Sequence, residues 1–357
     1  MAHDTRPVLV TGAFGLVGTR VTRLLASRGA RVVAVDLQTP ATLRSAAQMA
    51  GTGSIEPAWV DLTNADAVTE LINRIRPRAV VHLAAIIPPL AYARPVVAER
   101  VNVDGTRHLV EAMSALPEPG RLVLASSLAV YGSRNGARDL GLATAETAVN
   151  PRDVYGAHKA RAEALLRASN LDWAILRLGG IIAPDLFSAV DRTAMFMQGI
   201  IPADNRIHTV WVDDVATAFA NAIEADCSGM TLLVAGDDSH KLRQDEFNGH
   251  MLAMAGMGAP RPYGGRPGNP DDDSAWFITD WMDTAGTVDV LRLRPLSIAQ
   301  TTLAGKAELG RWRVALRPFG GVARAGVGLA SPYRRTPGPY ADPWGLVEAR
   351  FGPAALA

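Results

Sequence analysis

Short, almost continuously apolar runs alternate with helix-length amphipathic stretches through the first half of the chain. Val8-Leu9-Val10 reads as a strand, and a Gly-rich turn then leads into a helix from about Leu16 to Ser27. Arg31–Val35, Pro57–Val60, Ala79–Leu83, Leu122–Ala125 and Trp173–Leu178 read as further strands. Ala65–Ile75, Val96–Ala115 and Val154–Ser169 carry helical patterns, and Gly29 suits a helix stop. Apolar strands separated by helix-length segments predict a parallel sheet buried on both faces, the doubly wound α/β arrangement of a Rossmann domain. After residue 180 the pattern becomes irregular. Val210–Ala222 reads as a strand running into a helix, Leu232–Val234 as a strand, and the Gly-, Pro- and Asp-rich stretch 258–274 as a loop or lid. No internal repeat is visible.

Composition narrows the picture. A chain of 357 residues suggests two domains, and 48% hydrophobic with 20% charged residues supports a large core and excludes wholesale disorder. Thirty-six basic against thirty-five acidic side chains give a net charge of +1, so no global field draws the protein to nucleic acid. The single cysteine, Cys227, excludes an internal disulfide and a cysteine-built zinc cage, and points to a reducing, cytoplasmic compartment with no metal site. The start, MAHDTRP, lacks the apolar run of a signal peptide. The longest apolar stretch, Ala79–Ala93, is shorter than the ~20 residues of a spanning helix and contains His82, Pro88 and Pro89. A soluble protein with no integral membrane segment is expected. Residues 271–289 carry six Asp and no Lys or Arg, whereas 292–335 carry eight Arg and Lys306 against Glu308. That basic tail either meets an anionic surface or packs on the acidic stretch as a solvated face, the second being the commoner fate of such blocks.

The candidate chemistry begins at Thr11-Gly12-Ala13-Phe14-Gly15-Leu16-Val17-Gly18, between a strand and a helix. Gly12 permits the tight strand exit, Gly15 lets backbone approach a pyrophosphate, and Gly18 lets the helix pack close to the sheet. The helix start offers free N–H groups to phosphate. Asp36, eighteen residues after Gly18, suits the adenosine ribose hydroxyls and repels a 2′-phosphate. No Lys or Arg follows in Leu37-Gln38-Thr39, so NAD is favoured over NADP. Asp61-Leu62 ends the third strand; Asp61 either reaches the adenine amino group or caps the helix beginning near Asn64.

These residues continue into a longer ordered set. It comprises His82-Leu83-Ala84-Ala85, Asn102 in VNVDGT, Ser126-Ser127 in SSLAVYG, Tyr155 and Lys159 in YGAHK, Leu176-Arg177-Leu178, and Val212-Asp213-Asp214-Val215-Ala216. Over about 5–300 the chain resembles the extended short-chain dehydrogenase/reductases, the group that holds nucleotide-sugar epimerases and dehydratases. Asp283–Pro295 is similar to that family's late helix and turn, with Arg292 where glycine is usual. The resemblance implies a cofactor set that also includes Phe14, Leu16, Leu62, Ala84, Ala85, Asn102, Tyr155 and Lys159, with Asn102 bracing backbone. It implies Ser127, Tyr155 and Lys159 as the catalytic residues, and a homodimer built from the helices at 96–115 and 154–169.

The chemistry of the three can be stated independently. Tyr155 and Lys159 lie four apart on one helix face. A tyrosine titrates near ~10, too high for a base at neutral pH, and a nearby ammonium lowers that value. Tyr155 would then take a hydroxyl proton while hydride leaves for a nicotinamide, with Ser127 hydrogen-bonding the same oxygen and Lys159 reaching the nicotinamide ribose. His158 points off that face and is expected at the surface, and His82 is expected to be satisfied in the core. Tyr131 either covers the nicotinamide or packs. The expected organisation is an NAD-binding domain over 1–180 with sheet returning near 210–235, a substrate-binding region over 181–300 and a basic tail over 301–357.

Departures from the family pattern bear on the substrate. Arg177-Leu178-Gly179-Gly180 replaces an Arg-Tyr-Phe-Asn run, and Ile207 stands where those enzymes place an Arg, with Arg206 one residue out of register. Ala183–His208 is short for a nucleotide pocket, and Ser127-Leu128-Ala129 lacks the Asp-Glu pair of the 4,6-dehydratases. Ile86–Leu90, Met195–Met197 and Ile200-Ile201 add apolar walls. The reading is an NAD-dependent oxidoreductase acting on a secondary alcohol or ketone of a small, non-nucleotide substrate. Its rivals are a sugar or nucleotide-sugar epimerase and a non-catalytic NAD-binding protein.

Overall fold

The computed structural model describes residues 5–184, 191–310, 332–335 and 337–357. The first half lays down β1 (Val8–Thr11), α1 (Leu16–Ser27), β2 (Val32–Asp36), α2 (Pro40–Met49), β3 (Ile55–Trp59), α3 (Ala65–Ile75) and β4 (Ala79–His82). Next come α4 (Leu90–Ala93), α5 (Pro95–Glu99), a π-helical turn over Arg100–Asp104, α6 (Gly105–Ser114), β5 (Arg121–Ser127) and α7 (Val154–Arg167). The helix expected over 96–115 is thus split by a wide turn.

The later elements are β6 (Trp173–Leu178), β7 (Gly180–Ile182), α8 (Arg192–Ile200), β8 (Arg206–Trp211), α9 (Val212–Ala222) and β9 (Met230–Val234). They are followed by β10 (Lys241–Arg243), α10 (Gln244–Met254), α11 (Ala285–Leu291), α12 (Ile298–Leu309) and α13 (Pro343–Phe351).

Seven strands form one parallel sheet in the order β3-β2-β1-β4-β5-β6-β9, while β10-β8-β7 form a small second sheet. The strand order reverses between β1 and β4, which opens a crevice at the carboxyl edge. Pro57, which cannot donate to a ladder, is tolerated because β3 is the sheet edge. Period-two alternation divides each strand between two cores. Val8, Val10, Val32 and Ala34 pack with α1 and α9, whereas Leu9, Val33 and Val35 pack with α3, α6 and α7. This dual burial is why the strands read as apolar on both sides.

Residues 301–357, expected as a basic tail, include most of α12 and all of α13. Trp344 of α13 is buried, stacks on Phe277 with centroids 5.2 Å apart and donates from Nε1 to the Trp276 carbonyl. Arg311, Arg313, Arg317 and Arg324 of the expected basic block lie outside the described residues. Arg292 follows α11 with φ 50° and ψ 47°, a left-handed conformation that costs a non-glycine residue about 1–2 kcal/mol. The glycine usual at that position avoids this cost.

Candidate active site

An open groove of about 490 Å³ runs along the carboxyl edge of the large sheet across the β1/β4 crevice. Gly12, Gly15, Leu16 and Gly18 line it from the first turn, Asp36, Asp61 and Leu62 from the next two strand ends, and Ala84 and Ala85 from the loop after β4. Tyr155 and Lys159 line its far end. Gly12 adopts φ +65°, and a Cβ on Gly18 would stand 2.0 Å from the Gly12 carbonyl oxygen, so α1 meets the loop closer than any side chain allows. Gly15 caps α1 without a side-chain bond, leaving the first-turn N–H groups without a capping side chain.

Asp36 binds the loop as well as facing the groove. One carboxylate oxygen accepts the Phe14 N–H at 3.0 Å and the other the Leu37 N–H at 2.8 Å. Among the lining residues Lys159 is the sole cation, and it stands at the opposite end from Asp36. A dinucleotide bearing ribose hydroxyls fits this donor set, and a 2′-phosphate meets a carboxylate instead of an arginine. Asp61 accepts from the Thr63 N–H and hydroxyl, while Asn64 caps α3; the capping alternative for Asp61 therefore falls to its neighbour.

Two expected cofactor residues act from behind the wall. The Phe14 ring is buried against Trp59 at 5.3 Å, so only its backbone serves the loop. Asn102 sits in the π turn, accepting the Ile86 N–H at 2.7 Å and donating to the Ile86 carbonyl at 2.8 Å. It thereby fixes the loop carrying Ile86 and Ile87 into the groove.

Ser127 ends β5 and accepts the Ala129 N–H at 3.2 Å, which leaves its own proton free, and its hydroxyl is the neighbour that favours the Tyr155 phenolate. Lys159 is buried and donates to the Ala125 carbonyl at 2.8 Å, with Nζ 5.9 Å from the Tyr155 ring centre. Burial brings its ammonium down to about 8, opposed by Glu163. The expected acidification of Tyr155 by Lys159 is not what the geometry gives. Burial, followed by the charge of Asp153, pushes the phenol above its ordinary value, and only Ser127 pulls it down.

Other expectations also meet their surroundings here. His158, expected at the surface, is buried, because α7 is covered on more than the one face its sequence pattern suggests. His82 is buried between the hydroxyls of Thr11 and Thr106, and burial lowers it to about 3, so it stays neutral. Tyr131 is buried, donates to the Thr144 carbonyl at 2.6 Å and faces Arg177, which makes it a packing residue. Behind Ser127 and Lys159 lies a buried pair that sequence reasoning missed. Arg177 donates to both carboxylate oxygens of Glu163 at 2.9 and 2.7 Å, and Ser126 donates to the same group at 2.6 Å. A signal existed: Glu163 lies one turn beyond Lys159 on the same helical row.

Comparison with known proteins places this geometry. D-erythronate dehydrogenase of Cupriavidus necator is 32% identical over 210 residues, covering 54% of this chain and 60% of that protein. UDP-glucose 4-epimerase 4 of Oryza sativa subsp. japonica is 28% identical over 235 residues, covering 60% and 62%. The chain thus spans about 60% of the length of these curated relatives. Among solved structures, MoeE5 in complex with UDP-glucuronic acid and NAD superimposes with a TM-score of 0.65 at 22% identity over 87% of this chain and 99% of that one. dTDP-glucose 4,6-dehydratase from Bacillus anthracis in complex with NAD gives 0.68 at 17% over the same shares. Those two likenesses establish the fold. A family model matches residues 8–232, from the first strand through the last but two positions of β9, and the chain belongs to the NAD dependent epimerase/dehydratase family.

Proposed function

We propose that the protein is an NAD-dependent dehydrogenase/reductase acting on a secondary alcohol or ketone of a small, non-nucleotide substrate. The observation that carries this reading is that Tyr155 and Lys159 line the same groove whose other end is closed by Asp36. Bound NAD supplies the hydride acceptor or, reduced, the donor. Asp36 and the Gly12–Gly18 turn hold the dinucleotide, and Lys159 orients its nicotinamide end. Tyr155 exchanges a proton with the substrate oxygen, and Ser127 hydrogen-bonds that oxygen and the phenol.

Two features support a compact substrate. Ile207 is buried, and its Cδ1 lies 2.9 Å from where a Gly180 Cβ would stand, so apolar packing fills the position where nucleotide-sugar enzymes place an Arg. Arg206 is engaged elsewhere, 4.7 Å over the Trp281 ring and 4.0 Å from Asp280. The D-erythronate dehydrogenase relative is, by its name, an enzyme of this reaction class.

The test is net NADH formation when purified protein, NAD and a panel of small secondary alcohols and hydroxy acids, D-erythronate included, are mixed. Net NADH from at least one compound, with NADP a poor replacement, is the expected result. Tightly retained NAD with turnover of sugar nucleotides and no net NADH would establish the epimerase instead.

A homodimer through the helices over 96–115 and 154–169 is part of the same reading. Its support is an apolar strip at α4 and α5, where Leu90, Val96 and Val97 are 50%, 63% and 44% exposed. Sedimentation at micromolar concentration should give twice the chain mass, and a monomer there would overturn it. A cytoplasmic location accords with a free, buried Cys227; among the described residues no helix is long and apolar enough to cross a membrane.

A further inference from the structure

Behind the wall of the groove lies a closed ring of hydrogen bonds that starts and ends on the same loop. The Ala84 N–H donates to the Thr11 hydroxyl at 3.3 Å, and Thr11 Oγ1 stands 2.7 Å from His82 Nδ1. On the far side of the imidazole, His82 Nε2 stands 3.0 Å from the Thr106 hydroxyl, which donates to the Asn102 carbonyl at 2.7 Å. The Asn102 side chain then returns to the loop through its two bonds to Ile86. Thr11, His82, Asn102 and Thr106 are 0%, 2%, 2% and 1% exposed, so water does not compete for these groups.

Four elements supply the members. Parallel pairing of β1 with β4 sets Thr11 opposite His82 at the two strand ends. Asn102 comes from the π turn and Thr106 from the first turn of α6, one helical step further on.

Counting protons fixes the direction of every bond. Thr106 spends its single proton on the Asn102 carbonyl, so toward His82 it can only accept, and Nε2 must carry a hydrogen. Thr11 accepts from Ala84, and among the described residues its own proton has Nδ1 as its side-chain acceptor. Nδ1 is therefore bare. A hydrogen there would leave the buried Thr11 proton unpaired, which costs about 1–3 kcal/mol.

The loop tied in this way is the one that faces the cofactor. Ala84, Ala85, Ile86 and Ile87 all line the groove. Ala84 lies so close to the glycine turn that a Cβ on Gly12 would stand 2.8 Å from its nitrogen. A wall anchored at both ends before the dinucleotide arrives leaves less to order on binding.

We propose that His82, as the neutral tautomer with its hydrogen on Nε2, is a positioning residue for the dinucleotide, closing the ring that holds Ala84–Ile87 in the shape the cofactor meets. His82 itself does not line the groove. It acts through Thr11 on Ala84, and through Thr106 and Asn102 on Ile86. The inference concerns the cofactor alone, so it applies to a dehydrogenase and to an epimerase alike and does not depend on the role of Tyr155.

The experiment is a fluorescence titration of NADH into the full chain and its variants. Thr106→Val keeps the side-chain shape and deletes the hydroxyl, whereas Thr106→Ser keeps the hydroxyl and deletes the methyl. The ring requires Thr106→Val to weaken NADH binding about tenfold and Thr106→Ser to stay within about twofold of wild type. Packing alone gives the reverse order, because only the serine leaves a space. His82→Leu should match Thr106→Val, and the double variant should cost no more than either single one, the ring being open already. Thr106→Val within about twofold of wild type, Thr106→Ser weaker than Thr106→Val, or additive losses would each overturn the proposal. Should the variants fail to fold, nitrogen-15 spectra of the histidine rings in the unaltered protein decide the matter. His82 is expected to show a hydrogen on Nε2 and none on Nδ1 at pH 7, and a hydrogen on Nδ1 overturns it. Every alcohol in the substrate panel can fail to yield NADH while this order of affinities stands, so the two readings fail separately.

Discussion

Tyr155→Phe is expected to lower turnover by about 10²–10⁴-fold, the range a positioned proton donor or acceptor contributes. The substitution removes one oxygen. The ring keeps its place because it packs in the cluster of Tyr92, Ala129, Met197 and Phe277, and the helix keeps its cap from Asp153. The dinucleotide-facing residues Gly12, Gly15, Asp36 and Ala84 lie at the other end of the groove, so NAD affinity should change by less than about threefold. Steady-state kinetics on any compound that yields NADH, together with a binding titration of NAD, separates the two effects. Turnover preserved within about twofold would remove Tyr155 from the mechanism.

Arg177→Met is expected to cost about 3–5 kcal/mol of stability, the penalty for removing the buried partner of a buried charge, since Glu163 then keeps only the part-exposed Arg167 at 3.1 Å. Arg177 and Glu163 are 1% and 2% exposed, and Arg177 also donates to the Tyr131 hydroxyl at 2.8 Å and the Ala145 carbonyl at 3.1 Å. Burial alone would raise the Glu163 carboxyl. The Arg177 guanidinium overrides that and holds it below the usual carboxylate range. A depressed carboxylate contributes fully at neutral pH, and its contribution disappears as pH falls through the folded-state value. Denaturant midpoints at pH 7 should therefore drop sharply, and the gap between wild type and variant should narrow in acid. Combining Arg177→Met with Glu163→Leu should recover most of the loss, since an apolar pair of similar volume leaves no charge stranded. A single-variant loss below about 1 kcal/mol would show that water reaches the pair.

What the sequence disclosed and what it concealed follow from how far apart the interacting groups lie along the chain. The strands were legible because each is buried on both faces, and the Gly12–Gly18 turn, Asp36 and the Tyr155/Lys159 row are local spacings. The pattern puts Asn102 in a helix, but its two bonds to Ile86, sixteen residues away, depend on a π turn that no periodicity announces. A one-face pattern for α7 puts His158 outside, whereas α4, α5 and α6 also pack on that helix and bury it. Four-residue spacing brings the Lys159 and Tyr155 side chains near each other, and from that alone the ammonium is expected to acidify the phenol. That spacing says nothing about where an ammonium finds its acceptor, and here it is the Ala125 carbonyl. The Tyr92 hydroxyl donates to Asp153 across 61 positions, and Phe351 and Leu356 pack over that bond from the far end of the chain, so neither contact could be read locally.

The glycine turn that meets the dinucleotide is propped from a distance. The inner side of α1 rests on α9, and the open flank of β6 is closed by β9. The first strand and its turn are synthesised early, yet α1 finds the helix it rests on only once Ala222 has emerged, and β6 its outer neighbour only once Val234 has. Until then the nascent chain exposes an apolar helix flank and an unpaired strand edge, an invitation to chaperones or to self-association.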